Sequence, residues 1–119
     1  MFLDSKQEEP PKKRGERRWE RHHVKIRASL RLSRNGIEHF LVGTCYDIAE
    51  GGTRLFLASE LHDGEEITLK LTLPYSEAVE VKGVVRNRVR YEYGIEFVVI
   101  SEAARQSIER NCKALALLQ

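Results

Sequence analysis

Three arginines stand close together near the start of the chain, in the segment Arg17-Arg18-Trp19-Glu20-Arg21. Guanidinium groups grip phosphate bidentately, pair with guanine O6 and N7, and stack on base planes. Arg17 and Arg21 are four apart, so they share a face whether the segment is coiled or extended. A second stretch, Asp47-Ile48-Ala49-Glu50-Gly51-Gly52, supplies what arginine lacks. The Asp47 carboxylate is an acceptor for the N1 and N2 hydrogens of guanine's Watson–Crick edge. Gly51 and Gly52 have no Cβ and tolerate φ > 0, so the turn they make lets backbone amides and a flat base come close. A donor cluster and an acidic, glycine-rich turn together suit a guanine nucleotide better than bare phosphate.

The remaining reactive side chains form no constellation of that kind. His22, His23, His39 and His62 lack metal-ligand spacing. Cys45 and Cys112 read as ordinary semi-buried thiols. No Gly-x-Ser-x-Gly elbow, P-loop or His-Glu-x-x-His motif occurs, so the expectation is a protein that is not an enzyme and carries no metal or cofactor. Trp19 has two readings, an aromatic lid near a ligand or a plug against the fold. Arg86 and Arg88 share one strand face, placed for salt bridges or, for one of them, as a third guanidinium at the ligand.

For these groups to meet, the chain between them must fold back on itself. From Val24 the pattern has period two: Val24, Ile26, Ala28, Leu30 and Leu32 alternate with Lys25, Arg27, Ser29, Arg31 and Ser33. Asn35-Gly36 is a two-residue hairpin signal. Ile37 to Tyr46 returns as a second strand whose blurred alternation predicts partial cover on both faces. Asp47–Gly52 is the next turn, followed by a short strand from Thr53 to Leu57. Further strands run Glu66 to Leu73, Val79 to Val89 and Tyr93 to Val99. Gly83 and Gly94 mark expected bulges. Ser101 then caps a helix whose apolar stripe is Ala104, Ile108, Cys112 and Leu115. The expected fold is all-β, a six-stranded antiparallel barrel with one C-terminal helix over an open end or side. Residues 1–15 read as a disordered leader and 16–119 as one domain, with the barrel over about 22–99 and the helix over about 102–118.

Composition fits that frame. The 119 residues suffice for one domain. Net charge is +2, but residues 1–27 hold nine basic and five acidic side chains, against eleven and thirteen in the rest. The basic excess lies on the N-terminal arm and suits an anionic partner. The short apolar runs span no membrane, and two lone cysteines make no disulfide framework, so a cytoplasmic protein is expected.

With the two motifs in order around the expected strands, the sequence resembles the PilZ family of bacterial cyclic di-GMP receptors, from about Glu16 to Cys112. Arg17 and Arg21 match the family's Arg-x-x-x-Arg ahead of the first strand. Asp47, Ala49 and Gly52 match its Asp/Asn-x-Ser-x-x-Gly between the second and third strands. Gly83-Val84-Val85-Arg86 and Tyr93-Gly94-Ile95-Glu96-Phe97 look like its last two strands. The resemblance implies cyclic di-GMP as ligand, with Arg17, Arg18, Arg21, Asp47, Ala49, Gly51 and Gly52 as binding residues and a downstream protein partner. Ala49 departs from the pattern, where serine is usual. The missing hydroxyl is worth about 0.5–1.5 kcal/mol for one hydrogen bond. Two other functions are compatible with the fold: an adaptor that binds protein and no nucleotide, favoured by Ala49, and a small nucleic-acid-binding barrel. Against the last, the four Tyr, four Phe and one Trp form no stacking cluster with the basic arm.

Overall fold

The computed structural model describes residues 20–118. Arg17, Arg18, Trp19 and the leader lie outside the described residues. The alternating segments form six strands: β1 (His22–Arg34), β2 (Ile37–Ala49), β3 (Gly52–Phe56), β4 (Glu66–Leu71), β5 (Val79–Val89) and β6 (Glu92–Val99), followed by helix α1 (Glu102–Leu118). Every pairing is antiparallel, and the strands close into a barrel in the order β1-β2-β3-β6-β5-β4. Consecutive strands build two three-stranded meanders, β1-β2-β3 and β4-β5-β6, which join at β1–β4 and β3–β6. Closure removes the sheet edges that an open meander would leave.

The period-two pattern decides what is inside. Ala28, Leu30 and Leu32 of β1, Leu69 and Leu71 of β4, Val81 and Val85 of β5, and Tyr93 and Ile95 of β6 fill the interior. Asn35 and Gly36 both have positive φ, 53° and 76°, the geometry that the Asn-Gly hairpin requires. Bulges fall where the two strand glycines suggested. The β5–β6 register slips between Lys82 and Gly83, and again between Val85 and Asn87, opposite Gly94.

β3 and β6 shift by one residue from expectation, and three boundaries differ by two or more. β1 starts two residues early, at His22. β4 stops at Leu71, although Leu73 remains buried beyond it. β2 runs on through Asp47, Ile48 and Ala49, so the turn is only Glu50-Gly51. The blurred alternation of β2 has a different cause from the one expected. Its outer face is apolar but open, with Phe40 72% and Val42 57% exposed.

Helix α1 packs against β1, β2 and β5. Ser101 caps it: its Oγ accepts the Ala104 amide at 3.1 Å, and its carbonyl accepts the Arg105 amide at 2.9 Å. The stripe Ala104, Ile108, Cys112 and Leu115 is buried as the spacing predicts, and Asn111 is buried beside it. The Asn111 amide accepts the Tyr75 N–H (2.8 Å) and donates to Ser76 Oγ (3.0 Å) and the Ser107 carbonyl (2.8 Å). It fastens the helix to the β4–β5 loop. No helix among the described residues is long and apolar enough to cross a membrane.

The opposite end is closed by residues 57–65, which bury Leu57 and Leu61. Tyr93 Oη accepts the Leu61 amide at 3.1 Å and donates to the Ser59 carbonyl at 3.2 Å. Arg34 makes a bidentate contact with Glu65, at 2.6 and 2.8 Å, and donates to the Glu60 carbonyl. The Arg34 hydrogen bonds hold the Glu65 carboxyl below its ordinary value, and the His62 amide adds to the effect. A carboxyl depressed in the folded state contributes stability above its unfolded value of about 4.3, and loses that contribution as pH falls through the folded value. Thermal melts of the wild type and Glu65→Gln should therefore differ most at neutral pH, with the gap starting to close below about pH 4.3 and closing fully only beneath the depressed folded value. A constant gap across that range would remove this ion pair from the acid response.

Candidate functional site

Antiparallel register sets the site out in rows on the outer surface of the barrel. In one row Asp47 of β2 lies opposite Arg54 of β3, Arg54 opposite Gly94 of β6, and Gly94 opposite Asn87 of β5. In the next, Ala49 lies opposite Gly52, and Gly52 opposite Glu96. Bulges bend the strands at these rows. On β2 the register with β3 slips between Cys45 and Asp47, and on β1 the register with β2 slips between His23 and Ile26. Bulges of this kind re-aim side chains beside binding sites. On β5 the extra residue is Arg86.

The rows frame one cavity of about 270 Å³. Arg21, Asp47, Ala49, Gly51 and Gly52, all singled out in the sequence, line it. Arg17 and Arg18 lie outside the described residues. Arg86, one of the two candidates for a third guanidinium, also lines it, while Arg88 does not. Arg88 instead pairs with Glu60 at 2.9 Å and sits 5.4 Å from the Tyr93 ring centroid. Sequence reasoning did not single out Arg54 or Asn87, nor assign a role to the outward carboxylate of Glu96. The only cue was the likeness of the β5 and β6 segments, because nothing in the chain order says that β6 lies beside β3.

The arm meets the strand at this cavity. Arg21 Nη1 donates to Asp47 Oδ2 at 2.9 Å, with the two side chains 29% and 14% exposed. Asp47 Oδ1 accepts the backbone N–H of Arg54 at 3.0 Å, and Thr53 Oγ1 donates to the Asp47 carbonyl at 2.6 Å. Asp47 thus holds Arg21 and the start of β3 at once. Each carboxylate oxygen keeps a second lone pair, and Arg21 keeps further N–H donors for an incoming group. Across the cavity Arg86 Nε donates to Glu96 Oε1 at 2.6 Å. The lining side chains include three guanidinium groups and two carboxylates, a net charge suited to an anion.

The glycines serve differently from the expectation. Neither Gly51 nor Gly52 has positive φ. Gly52 is required by space: a Cβ there would lie against the Ile95 carbonyl oxygen, closer than real Cβ atoms come. At Gly94 a Cβ would meet the Asn87 amide, 2.6 Å from Oδ1 and 2.8 Å from Nδ2. The bare Gly94 backbone therefore leaves room for that amide to lie over it.

Cys45 and Cys112 are buried rather than semi-buried, and burial pushes both thiols up to about 11. At neutral pH they are protonated and poor nucleophiles. Among the described residues no three His, Cys, Asp or Glu side chains are grouped to hold a metal ion.

A family model described as the PilZ domain matches residues 14–114. Solved structures resemble the chain in fold. The PilZ domain with c-di-GMP of YcgR from Escherichia coli has a TM-score of 0.68 at 15% identity, covering 85% of this chain and 92% of that one. The Bacillus subtilis inhibitor of motility (MotI/DgrA) has a TM-score of 0.67 at 21% identity, covering 92% of this chain and 57% of that one. The PilZ domain of CeSA from a cellulose-synthesizing bacterium has a TM-score of 0.59 at 13% identity, covering 83% and 97%. A comparison with curated proteins finds no match.

Proposed function

The chain belongs to the PilZ domain family, and on that footing we propose that it is a receptor module that binds cyclic di-GMP and relays the signal to a partner protein. The observation that carries this reading is the meeting of Arg21 and Asp47 at the cavity wall, beside the Gly52 backbone. Arg21 offers its unused N–H donors to guanine O6 and N7 or to a phosphate oxygen. Asp47 offers its remaining lone pairs to the guanine N1 and N2 hydrogens. Arg17 and Arg18 stand only four and three residues before Arg21 in the chain, so a ligand held by Arg21 draws them onto its phosphates. The arm's new position is the change that a partner reads.

Calorimetric titration tests this. Cyclic di-GMP should bind saturably, with GMP and cyclic di-AMP much weaker. Adenine has an amino donor where guanine has O6, and it lacks the N1 hydrogen and N2 amine. Equal affinity for the guanine and adenine dinucleotides, or no binding at high protein concentration, would sink the proposal. Bound ligand should also slow tryptic cleavage between Arg14 and Arg21.

An adaptor that binds protein without nucleotide is the second reading, and Ala49 favours it. Ala49 is buried where β2 turns into β3 and lines the cavity, so a hydroxyl placed there would face the ligand. Ala49→Ser should tighten cyclic di-GMP binding by up to about tenfold, the value of one added hydrogen bond. An unchanged dissociation constant would mean that this turn gives a hydroxyl nothing to bond.

A further inference from the structure

The cationic groups at the cavity are not equally available. Arg21 is committed to Asp47 at 2.9 Å and Arg86 to Glu96 at 2.6 Å. Arg54 is different. Its backbone N–H is held by Asp47 Oδ1, which fixes the residue, but among the described residues its guanidinium has no hydrogen bond or ion pair. It is half-buried and lines the cavity. Asn87 is exposed rather than half-buried, but its side-chain amide also lies over the bare Gly94 backbone, lines the cavity, and has no partner among the described residues. Register places the two on either side of Gly94, two strand spacings or roughly 10 Å apart.

Resting on the cyclic di-GMP reading, we infer that the ligand site extends beyond the two sequence motifs across β3, β6 and β5. Arg54 anchors a ligand phosphate there, and the Asn87 amide hydrogen-bonds the ligand from the far side of Gly94. The chemistry favours these two residues. An anion reaches Arg54 without breaking an internal ion pair, whereas Arg21 and Arg86 must share or give up a carboxylate. A guanidinium already partly withdrawn from water also loses less hydration when it pairs with phosphate, and its contact is less screened by salt than a fully exposed one. Bare backbone at Gly94 leaves a flat floor between the cation and the amide, suited to the sugar-phosphate part of a nucleotide.

The test is a titration of the whole protein with cyclic di-GMP and, separately, with inorganic pyrophosphate, for the wild type, Arg54→Met, Arg54→Lys, Asn87→Ala and Arg86→Met. Arg54→Met keeps the backbone bond to Asp47, so its melting temperature should stay within a degree or two of the wild type. Its affinity for cyclic di-GMP should fall at least tenfold, with Arg54→Lys between the two. Asn87→Ala should weaken binding severalfold and Arg86→Met less than Arg54→Met. If the wild type binds cyclic di-GMP and Arg54→Met binds equally well, the inference is overturned while the receptor reading stands. Unchanged affinity in Asn87→Ala removes the amide from the site. If the wild type takes pyrophosphate through Arg54 but not cyclic di-GMP, the receptor reading fails and the anion anchor survives. Binding of neither probe overturns both.

Discussion

Arg21→Ala loses tenfold or more in affinity for cyclic di-GMP while the free protein remains folded. Each bidentate guanine contact made by an arginine is worth about 1–3 kcal/mol, and Arg21 is the arm residue placed on the cavity wall. The melt is the second half of the measurement. Arg21 precedes the first buried apolar residue of β1, so its removal opens no hole in the core. Its ion pair with Asp47 is partly solvated, which limits the expected stability loss to about 0.5–1 kcal/mol, a few degrees. Asp47 is not symmetric with it. Asp47→Ala also removes the acceptor for the Arg54 amide, so it should lower stability further as well as binding. Should Arg21→Ala melt several degrees lower and still bind within twofold of the wild type, the arm is a structural strap and not a ligand clamp.

Gly52→Val should be the most damaging single change at the site. Its Cβ would be driven against the Ile95 carbonyl, inside the β3–β6 pairing, and backbone on both strands must move to relieve it. Forced overpacking of this kind costs about 3 kcal/mol, in a domain whose total stability is roughly 5–15 kcal/mol. Chemical denaturation should show an unfolding midpoint shifted far down, with cyclic di-GMP binding lost in the same variant. Gly36→Ala is the matched control. Gly36 has positive φ but open space around its missing Cβ, so only backbone strain of about 1 kcal/mol is expected. A Gly52→Val protein as stable as Gly36→Ala would mean that β3 and β6 are not held together as tightly as their register indicates.

The strands and the helix were legible because burial in a small barrel forces alternation, and alternation survives in the residue order. Val24 to Leu32 shows it openly, and the Asn35-Gly36 turn needs no context beyond its own two residues. What failed was local where tertiary partners intervene. Asp47 looked like turn chemistry but is a strand residue, because its carboxylate satisfies the Arg54 amide on the neighbouring strand. Phe40 and Val42 read as half-covered, yet they face outward. Asn111 lay on the apolar stripe unannounced, since its three hydrogen-bond partners belong to its own helix and to a loop more than thirty residues away. At the candidate site, Arg21, Asp47, Ala49, Gly51 and Gly52 could be picked out because they fall in two short motifs. Asn87 and Gly94 face each other across the β5–β6 hairpin, but Arg54 joins them only through the β3–β6 pairing, which skips two strands and leaves no trace in spacing.

That pairing joins two halves of the chain made at different times. Asp47 and Arg54 belong to the first meander, Gly94, Asn87 and Glu96 to the second. While the polypeptide is still being synthesised, β3 has no partner on one side until Glu92–Val99 has left the ribosome, and the cavity does not exist before then. A nascent chain therefore cannot meet its ligand early. A ligand that spans the cavity holds both halves at once, so it adds RT ln(1 + [L]/Kd) to the stability of the complete domain.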